Sequence, residues 1–274
     1  MVATYSDHDI ALLREAGMLV SHTLAEVAKH IEPGVSTKDL DAIAFTFVKD
    51  HGAEPAFKGY RVPGIPTPFP GTLCTSVNDV VVHGIPSDIR ISEGDLVSVD
   101  CGVKLNGFFG DSAFTFIVGD AAAEDVALCE RTYHSLYRGI TQAKKGNRIG
   151  DIGAAIQTYA EASGYGVVHQ LVGHGIGRKL HMEPSVPNVG RKGRGTKLSN
   201  GMTMCLEPMI NAGTASVTTD EDGWTIRTAD GKASAHYEHM IAVRAGQAEI
   251  LTSFEPIQAV HPLPFNTTIA VPHG

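Results

Sequence analysis

Apolar residues recur at helical spacing near the beginning of the chain. Their positions alternate in steps of three and four: Ile10, Leu13, Gly17, Val20, Leu24, Val27 and Ile31. Ser6 and Asp9 have the spacing of a capping box, so an amphipathic helix is predicted to begin there and to end at 32–34 (Glu-Pro-Gly). A second helix is predicted from 36–37 to 51–52, where Gly follows His.

Strand-like and helical patterns then alternate along the rest of the chain. Strands are predicted at 72–83, 96–118, 166–173, 203–210, 224–228 and 236–243. Two further helices are predicted at about 122–145 and 149–163, with Gly146 and Gly164 as their ends. Two helices followed by strands, twice over, indicate an α+β fold with a duplicated half. In such a fold each half contributes to one antiparallel sheet with helices on a single face.

The strand region 96–118 has a turn at its centre. Asn106-Gly107 accepts the positive φ angles of a tight hairpin turn, and apolar residues alternate on both sides of it. With these two residues in the turn, Asp111 lies opposite Gly102 and diagonal to Asp100 on the same sheet face. Two unpaired carboxylates in an apolar sheet would be costly, so a cation is expected between them.

Glu207 and Glu238 are also predicted within apolar strands. Either one alone is most simply explained by a local hydrogen bond or an arginine partner. Together with Asp100 and Asp111 they are harder to explain in that way, because the apolar runs contain almost no basic residues. Four carboxylates and His174, which has close glycine neighbours, match the charge of two divalent cations. Their oxygen-rich set suits Mn, Fe(II) or Co.

Composition and charge narrow the class of protein. The chain has 274 residues, of which 43% are hydrophobic and 19% charged, as in an ordinary globular protein. Its net charge of −8 argues against nucleic acid as the main partner. We expect no membrane span and no signal peptide, because no apolar run is long enough and the beginning of the chain lacks a basic region. Four dispersed cysteines favour the cytoplasm.

Several motifs together resemble type I methionine aminopeptidases. They are NDVVVHGIP at 78–86, VSVD ending at Asp100, GFFGD ending at Asp111, GHGIG around His174, LEP around Glu207 and YEH around Glu238. The resemblance covers residues 5–252. It implies the pita-bread fold, a pseudo-two-fold antiparallel sheet with helices on its outer face. We therefore expect one catalytic domain, 1–252, and a C-terminal tail, 253–274.

The resemblance implies removal of the initiator methionine when the second residue is small, with a metal-bridging hydroxide as the attacking group. Asp100 would bind one ion, and His174 and Glu207 would bind the other. Asp111 and Glu238 would each bridge the two ions. Glu207 is also the expected proton shuttle. His83 and His181 would flank the scissile peptide bond. Taken singly, each is most simply a surface or hydrogen-bonded loop histidine, but within these motifs the functional role is favoured.

The family's methionine pocket is matched by residues of several segments: Tyr60, Phe69, Cys74, His83, His181 and Trp224. Phe69 takes a position where tyrosine is usual, and Leu180 one where an aromatic residue is common. The proline-rich segment 61–68 resembles an insertion between two pocket residues. For Cys74 and Trp224 the simpler interpretation is an ordinary buried side chain.

Two other functions remain open from the sequence. A prolidase or Xaa-Pro aminopeptidase would share the fold and the five ligands, but it usually carries a large amino-terminal domain. A pita-bread protein that only binds ribosomes or histones would have lost ligands. We expect nascent polypeptide N-termini as substrates, a monomer, and no direct nucleic-acid function. The basic loop 191–197 is a hypothetical ribosome contact or simply a solvated turn.

Overall fold

The structure is a computed structural model that describes residues 2–268. Its helices are α1 (Asp7–Ala28), α2 (Thr37–Asp50), α3 (Ala123–Gln142), α4 (Ile149–Glu161) and α5 (Glu255–Gln258). The predicted starts of the first two helices are confirmed, because Ser6 and Ser36 each cap the amide three residues on and the carboxylate of that residue accepts from the backbone amide of the serine. The helix at 122–145 is shorter than predicted and ends at Gln142.

The strands fall into four hydrogen-bonded groups, and every pairing between them is antiparallel. They are β1 (Glu54–Pro55), β2 (Leu73–Val77), β3 (Val80–Val82), β4 (Leu96–Leu105), β5 (Phe108–Ile117), β6 (Gly166–Val167), β7 (Val172–Gly175), β8 (Met182–Pro187), β9 (Thr203–Leu206), β10 (Met209–Asn211), β11 (Val217–Thr219), β12 (Ile226–Thr228), β13 (Ser234–His236), β14 (His239–Ala242) and β15 (Glu249–Ile250). The largest groups are β1-β4-β2 with β5, and β15-β14-β9-β7-β8.

The helices cover the sheets and enclose the main apolar core. Helix α1 packs along β4 and β5, while α3 and α4 pack on each other and on strands of the second half. Leu13, Val20 and Leu24 of α1 are fully buried. The predicted order of helices and strands is therefore confirmed in both halves of the chain.

The hairpin predicted at Asn106-Gly107 is confirmed. Their φ angles are 51° and 80°, the left-handed conformation that such a turn requires. Strands β4 and β5 pair from Leu105↔Phe108 outward, which places Gly102 opposite Asp111 as expected. The register of this hairpin follows from its local turn.

Several strands predicted as continuous are interrupted. The run 203–210 is broken at Glu207 and Pro208, and 236–243 is broken at Tyr237 and Glu238. Proline lacks an amide hydrogen and cannot continue a ladder. The prediction that Glu207 and Glu238 lie within strands is therefore wrong: both lie between strands. Within 166–173, only residues 166–167 and 172–173 are extended, and 72–83 is interrupted at 78–79.

The segment after β15 returns to the main core. Phe254 and Ile257 are buried in it, and Leu263 and Phe265 pack against it. His261 Nε2 lies 2.8 Å from the carbonyl oxygen of Ile117 at the end of β5. The boundary between a domain at 1–252 and a tail remains a prediction, and residues 269–274 of that tail lie outside the described residues. Within 2–268, the helices are all too short or too polar to cross a bilayer.

Candidate metal centre

The hairpin of β4 and β5 presents two carboxylates to one cavity. Asp100 and Asp111 both line this cavity, and Asp111 is only 3% exposed. Because side chains alternate along each strand, the register Gly102↔Asp111 leaves Asp100 diagonal to Asp111 on the same face. The local sequence thus fixes the relation between these two acids.

The interrupted strands bring two more carboxylates to the hairpin. The amide of Glu238 donates to the carbonyl oxygen of Ala113 at 2.9 Å, and the Ser112 hydroxyl donates to the carbonyl oxygen of Glu238 at 2.7 Å. Asn188 Nδ2 donates to the carbonyl oxygen of Glu207 at 3.1 Å. These contacts leave the side chains of Glu207 and Glu238 free to line the cavity.

His174 of β7 completes the group. Its Nε2 lies 3.6 Å from Glu207 Oε1 and 3.7 Å from Asp111 Oδ2. Ligand atoms of Asp111, His174 and Glu238 lie within 4.8 Å of one another. All five residues that the resemblance implies as ligands line the same cavity. The structure therefore brings this predicted set together, from four separate parts of the chain.

The carboxylate oxygens and the imidazole nitrogen of these five residues are suited to bind a cation. Oδ1 of Asp100, Oδ1 of Asp111 and Oε1 of Glu238 are buried and have no hydrogen-bond partner within residues 2–268. Buried carboxylates are costly unless they are protonated, hydrogen-bonded or bound to a positive charge. Four carboxylates and one imidazole are hard or borderline ligands, which suits divalent first-row metals.

Burial also shifts the pKa values of these groups in the metal-free protein. It raises the pKa of Asp100 to about 7. The pKa of Asp111 is raised well above its usual value by burial and by the charges of Glu238 and Asp100. Burial, followed by charge repulsion from neighbouring carboxylates, likewise raises the pKa values of Glu207 and Glu238. Burial lowers the pKa of His174 to about 3, which keeps its imidazole neutral and able to bind a metal.

Sequence reasoning missed two side chains beside the predicted ligands. The Sγ atom of buried Cys205 lies within 4.8 Å of ligand atoms of Asp111, His174 and Glu238. Nε2 of buried His236 lies 3.9 Å from Glu207 Oε2 and has no hydrogen-bond partner within the described residues. Each lies two residues before a predicted glutamate ligand, a spacing that could have indicated the same strand face.

Two predicted catalytic histidines lie at the cavity wall. The ring of His181 is 4.4 Å from that of His174 between centroids, and its Nδ1 is 2.6 Å from the Tyr60 hydroxyl oxygen. His83 follows β3 with a φ of 58°, an uncommon conformation for a side chain other than glycine. Burial lowers the pKa of His83 to about 4, and the charge of His181 acts in the same direction.

The cavity has a volume of about 580 Å³, within the usual range for ligand sites. All six predicted pocket residues line it: Tyr60, Phe69, Cys74, His83, His181 and Trp224. The rings of Phe69 and Trp224 meet edge to face with centroids 5.3 Å apart. Leu180 is buried in the neighbouring apolar cluster, whereas Val62, Leu171 and Met209 line the cavity without having been predicted.

Comparison with known proteins agrees with this arrangement. The sequence pattern of metallopeptidase family M24 matches residues 11–245. The methionine aminopeptidase of Clostridium perfringens is 47% identical over 92% of this chain and 99% of its own length. Methionine aminopeptidase 1 of Bacillus subtilis is 46% identical over 92% of this chain and 99% of its own length.

Solved structures of methionine aminopeptidases and prolidases are also similar to this chain. The crystal structure of methionine aminopeptidase from Rickettsia prowazekii has a TM-score of 0.89 at 40% identity, covering 92% of this chain and 100% of that one. The prolidase of Pyrococcus horikoshii has a TM-score of 0.74 at 20% identity, covering 92% of this chain and 64% of that one. The second likeness concerns the fold alone.

Proposed function

The chain belongs to metallopeptidase family M24, and we propose that it is a metal-dependent methionine aminopeptidase with the pita-bread fold. It removes the N-terminal methionine from polypeptides whose second residue is small. The observation that carries this conclusion is the group of four carboxylates and His174 that lines one cavity beside an apolar, sulfur-containing pocket. Relatives named methionine aminopeptidases match nearly all of the chain.

The proposed ligands are Asp100, Asp111, His174, Glu207 and Glu238, holding two divalent ions such as Co, Mn or Fe(II). Their unpartnered buried oxygens and neutral imidazole support this assignment. Bound ions would act as Lewis acids that activate the attacking water and stabilise charge on the carbonyl oxygen.

The protein's own residues handle the proton and the peptide. Glu207 takes a proton from the attacking water and passes it to the leaving amine nitrogen, because it lies at the cavity wall beside His174. His83 and His181 hydrogen-bond the scissile peptide at its nitrogen and carbonyl oxygen. The Tyr60 hydroxyl orients the His181 ring through Nδ1.

The methionine side chain is proposed to lie against Tyr60, Phe69, Cys74, His83, His181 and Trp224. Apolar, aromatic and sulfur-containing walls suit a flexible, polarisable thioether. A substrate side chain with a charge would lose its hydration there without gaining a partner.

The test uses metal-loaded protein and three peptides, Met-Ala-Ser, Met-Leu-Ser and Ala-Pro-Ser. We expect methionine to be released from Met-Ala-Ser and to be released slowly from Met-Leu-Ser. We expect no cleavage of Ala-Pro-Ser. Cleavage of Ala-Pro-Ser alone would indicate an Xaa-Pro aminopeptidase. Metal binding without cleavage of any peptide would favour a binding protein that has lost catalysis.

Nascent chains at the ribosome, a cytoplasmic location and a monomeric state are further parts of this proposal. The loop 191–197 lies against the connection between α3 and α4, where Leu198 N donates to Asn147 O at 2.8 Å. The two segments pair through Arg148 and Lys197. Together they carry seven basic residues that are exposed or, for Arg148, partly exposed: Lys144, Lys145, Arg148, Arg191, Lys192, Arg194 and Lys197. Within residues 2–268, none of these seven forms an ion pair.

A surface of unpaired cations on an acidic chain suits contact with ribosomal RNA phosphates. Charge reversal of Arg191, Lys192, Arg194 and Lys197 is expected to weaken co-sedimentation with translating ribosomes. Reversal of Lys29 and Lys38, which pair with Glu26 and Asp88, is the control. Ribosome affinity that is unchanged after reversal of the loop would contradict the proposed contact.

A further inference from the structure

The segment 61–68, here named the rim loop, leaves and rejoins the wall of the cavity at one point. The amide of Phe69 donates to Tyr60 O at 2.9 Å, and that of Gly59 donates to Phe69 O at 2.8 Å. Both Tyr60 and Phe69 line the cavity. The rim loop therefore stands at the edge of the proposed methionine pocket.

The rim loop is held in place although it has no regular secondary structure. Trp224 Nε1 donates to Thr67 O at 3.0 Å. Ile65 packs against the turn at Gly223, where an added Cβ would lie 3.3 Å from Ile65 Cγ2. Pro63, Pro66 and Pro68 each fix φ. A loop restrained in this way loses little conformational entropy when a ligand binds.

Val62 is an exposed apolar side chain on this restrained loop. It is 37% exposed and lines the same cavity as the proposed metal ligands. Within residues 2–268, the other exposed large apolar residues are Phe45, Ile89 and Val260, and they do not line that cavity. An apolar group in this position gains from any ligand that removes its remaining surface from water.

The position of Val62 along the wall indicates which part of a peptide it meets. The Nδ1 atom of His181, proposed to contact the scissile bond, is hydrogen-bonded to the Tyr60 hydroxyl, and Val62 follows Tyr60 by two residues at the beginning of the rim loop. The second residue of the substrate is small and lies beside the scissile bond. An extended peptide advances about 3.3 Å per residue, so the next side chain to reach the cavity edge is the third.

We propose that the rim loop, through Val62, binds the side chain of the third substrate residue and favours an apolar one. This specificity rests on the proposed aminopeptidase function. The interior of the site then selects substrates with a small second residue. Among those substrates, the rim loop selects by the side chain of the third residue.

The test compares kcat/KM for Met-Ala-Leu-Ser and Met-Ala-Ser-Ser, which differ only at the third residue. The unmodified protein is expected to prefer the leucine peptide about three- to ten-fold, mainly through a lower KM. In Val62→Ser the ratio is expected to fall to about one. Ile89→Ser, which changes a more exposed apolar residue away from the cavity, is expected to leave both rates and their ratio unchanged.

The outcomes separate this inference from the function on which it rests. Hydrolysis of both peptides with the same ratio in the unmodified protein and in Val62→Ser would overturn the role of the rim loop alone. A ratio near one in the unmodified protein would do the same. Failure of the metal-loaded protein to hydrolyse either peptide would overturn the proposed function, and the rim-loop specificity with it.

Discussion

The four acidic residues of the cavity have pKa values raised above those of ordinary surface carboxylates. Burial raises the pKa of Asp100 to about 7, so in metal-free protein this carboxyl group is protonated below neutral pH. Metal binding must displace that proton, and the metal affinity is therefore expected to rise with pH. These acids would thus contribute little to the stability of the metal-free protein but would bind a metal well, which is the pattern expected at a functional site.

The raised pKa of Asp100 predicts an unusual dependence of stability on pH. Between its unfolded value of 3.8 and about 7, the folded state binds more protons than the unfolded state, so stability falls as pH rises. In Asp100→Asn this contribution is absent. Relative to the unmodified protein, the metal-free variant should therefore become progressively more stable as the pH rises from 5 to 8.

Urea unfolding in the presence of a chelator measures this difference. Buried histidines with lowered pKa values act in the opposite direction, but they are present in both proteins and cancel in the comparison. A gap between the two proteins that is independent of pH would contradict the raised pKa. Saturating Mn should reverse the order, because it stabilises the protein that retains the ligand.

The contact between Tyr60 and His181 predicts a defect in catalysis without loss of metal. Tyr60→Phe removes the hydroxyl at 2.6 Å from His181 Nδ1, so the ring loses the partner that orients it. We expect kcat for Met-Ala-Ser to fall about ten-fold, with bound metal unchanged. Tyr159→Phe is the matched control, because it removes a hydroxyl 3.3 Å from His134 Nδ1 outside the cavity. Equal rates for the two variants would show that the contact does not orient His181.

At the scale of helices and strands, the sequence predicts best those features that depend on residues close together in the chain. The β4–β5 hairpin was predictable because Asn106-Gly107 specifies the turn and a period of two specifies the faces. The capping box at Ser6 located the first helix for the same reason, and the predicted start at 36–37 located the second. The relation between Asp100 and Asp111 followed directly.

The interruption at Glu207 is marked in the sequence by Pro208, which cannot continue a strand ladder. The interruption at Glu238 has no such local mark, because its backbone contacts are with Ala113 and Ser112 of the distant hairpin. The sequence grouped these acids with His174 by their charge and their apolar contexts, and the resemblance implied the role of each as a ligand. Contacts of Val62 and Cys205 with the site depend likewise on tertiary packing.

The close packing of α1 on β5 predicts a position that tolerates no side chain. An added Cβ on Gly110 would lie 2.5 Å from the backbone carbonyl group of Ala16 in α1. Gly110→Ala must therefore displace the helix from the hairpin that carries Asp111, and we expect a loss of about 1–3 kcal/mol in unfolding free energy. Denaturant unfolding measures it. Gly246→Ala is the control, since nothing lies within 4 Å of its added Cβ, and equal stability of the two variants would refute the close approach.

At the scale of the whole molecule, two halves of like element order enclose one cavity. The first half contributes Asp100 and Asp111 from its hairpin, and the second contributes His174, Glu207 and Glu238. The fold class and the order of elements were predictable because each half has its own succession of helical and strand patterns. How the halves meet depends on pairings between residues far apart in the chain.

The segment after β15 predicts that the folded unit extends beyond residue 252. Phe254 is 3% exposed and Ile257 is fully buried in the main core. Replacing both by alanine is expected to cost at least about 3 kcal/mol in unfolding free energy, because cavities form in a packed core. Thermal unfolding measures the loss, and Val260→Ala, at an exposed apolar residue, is the control. A double variant as stable as this control would favour a separate tail that begins at residue 253.

The most direct test of the central claim is a titration of metal-free protein with Mn while methionine release from Met-Ala-Ser is followed. The buried carboxylates and His174 are predicted to make release dependent on metal, and Asp111→Asn is predicted to remain folded but to lose at least about 100-fold in rate. Release without metal, or undiminished release by the folded Asp111→Asn variant, would contradict the assignment of this cluster as the catalytic metal centre.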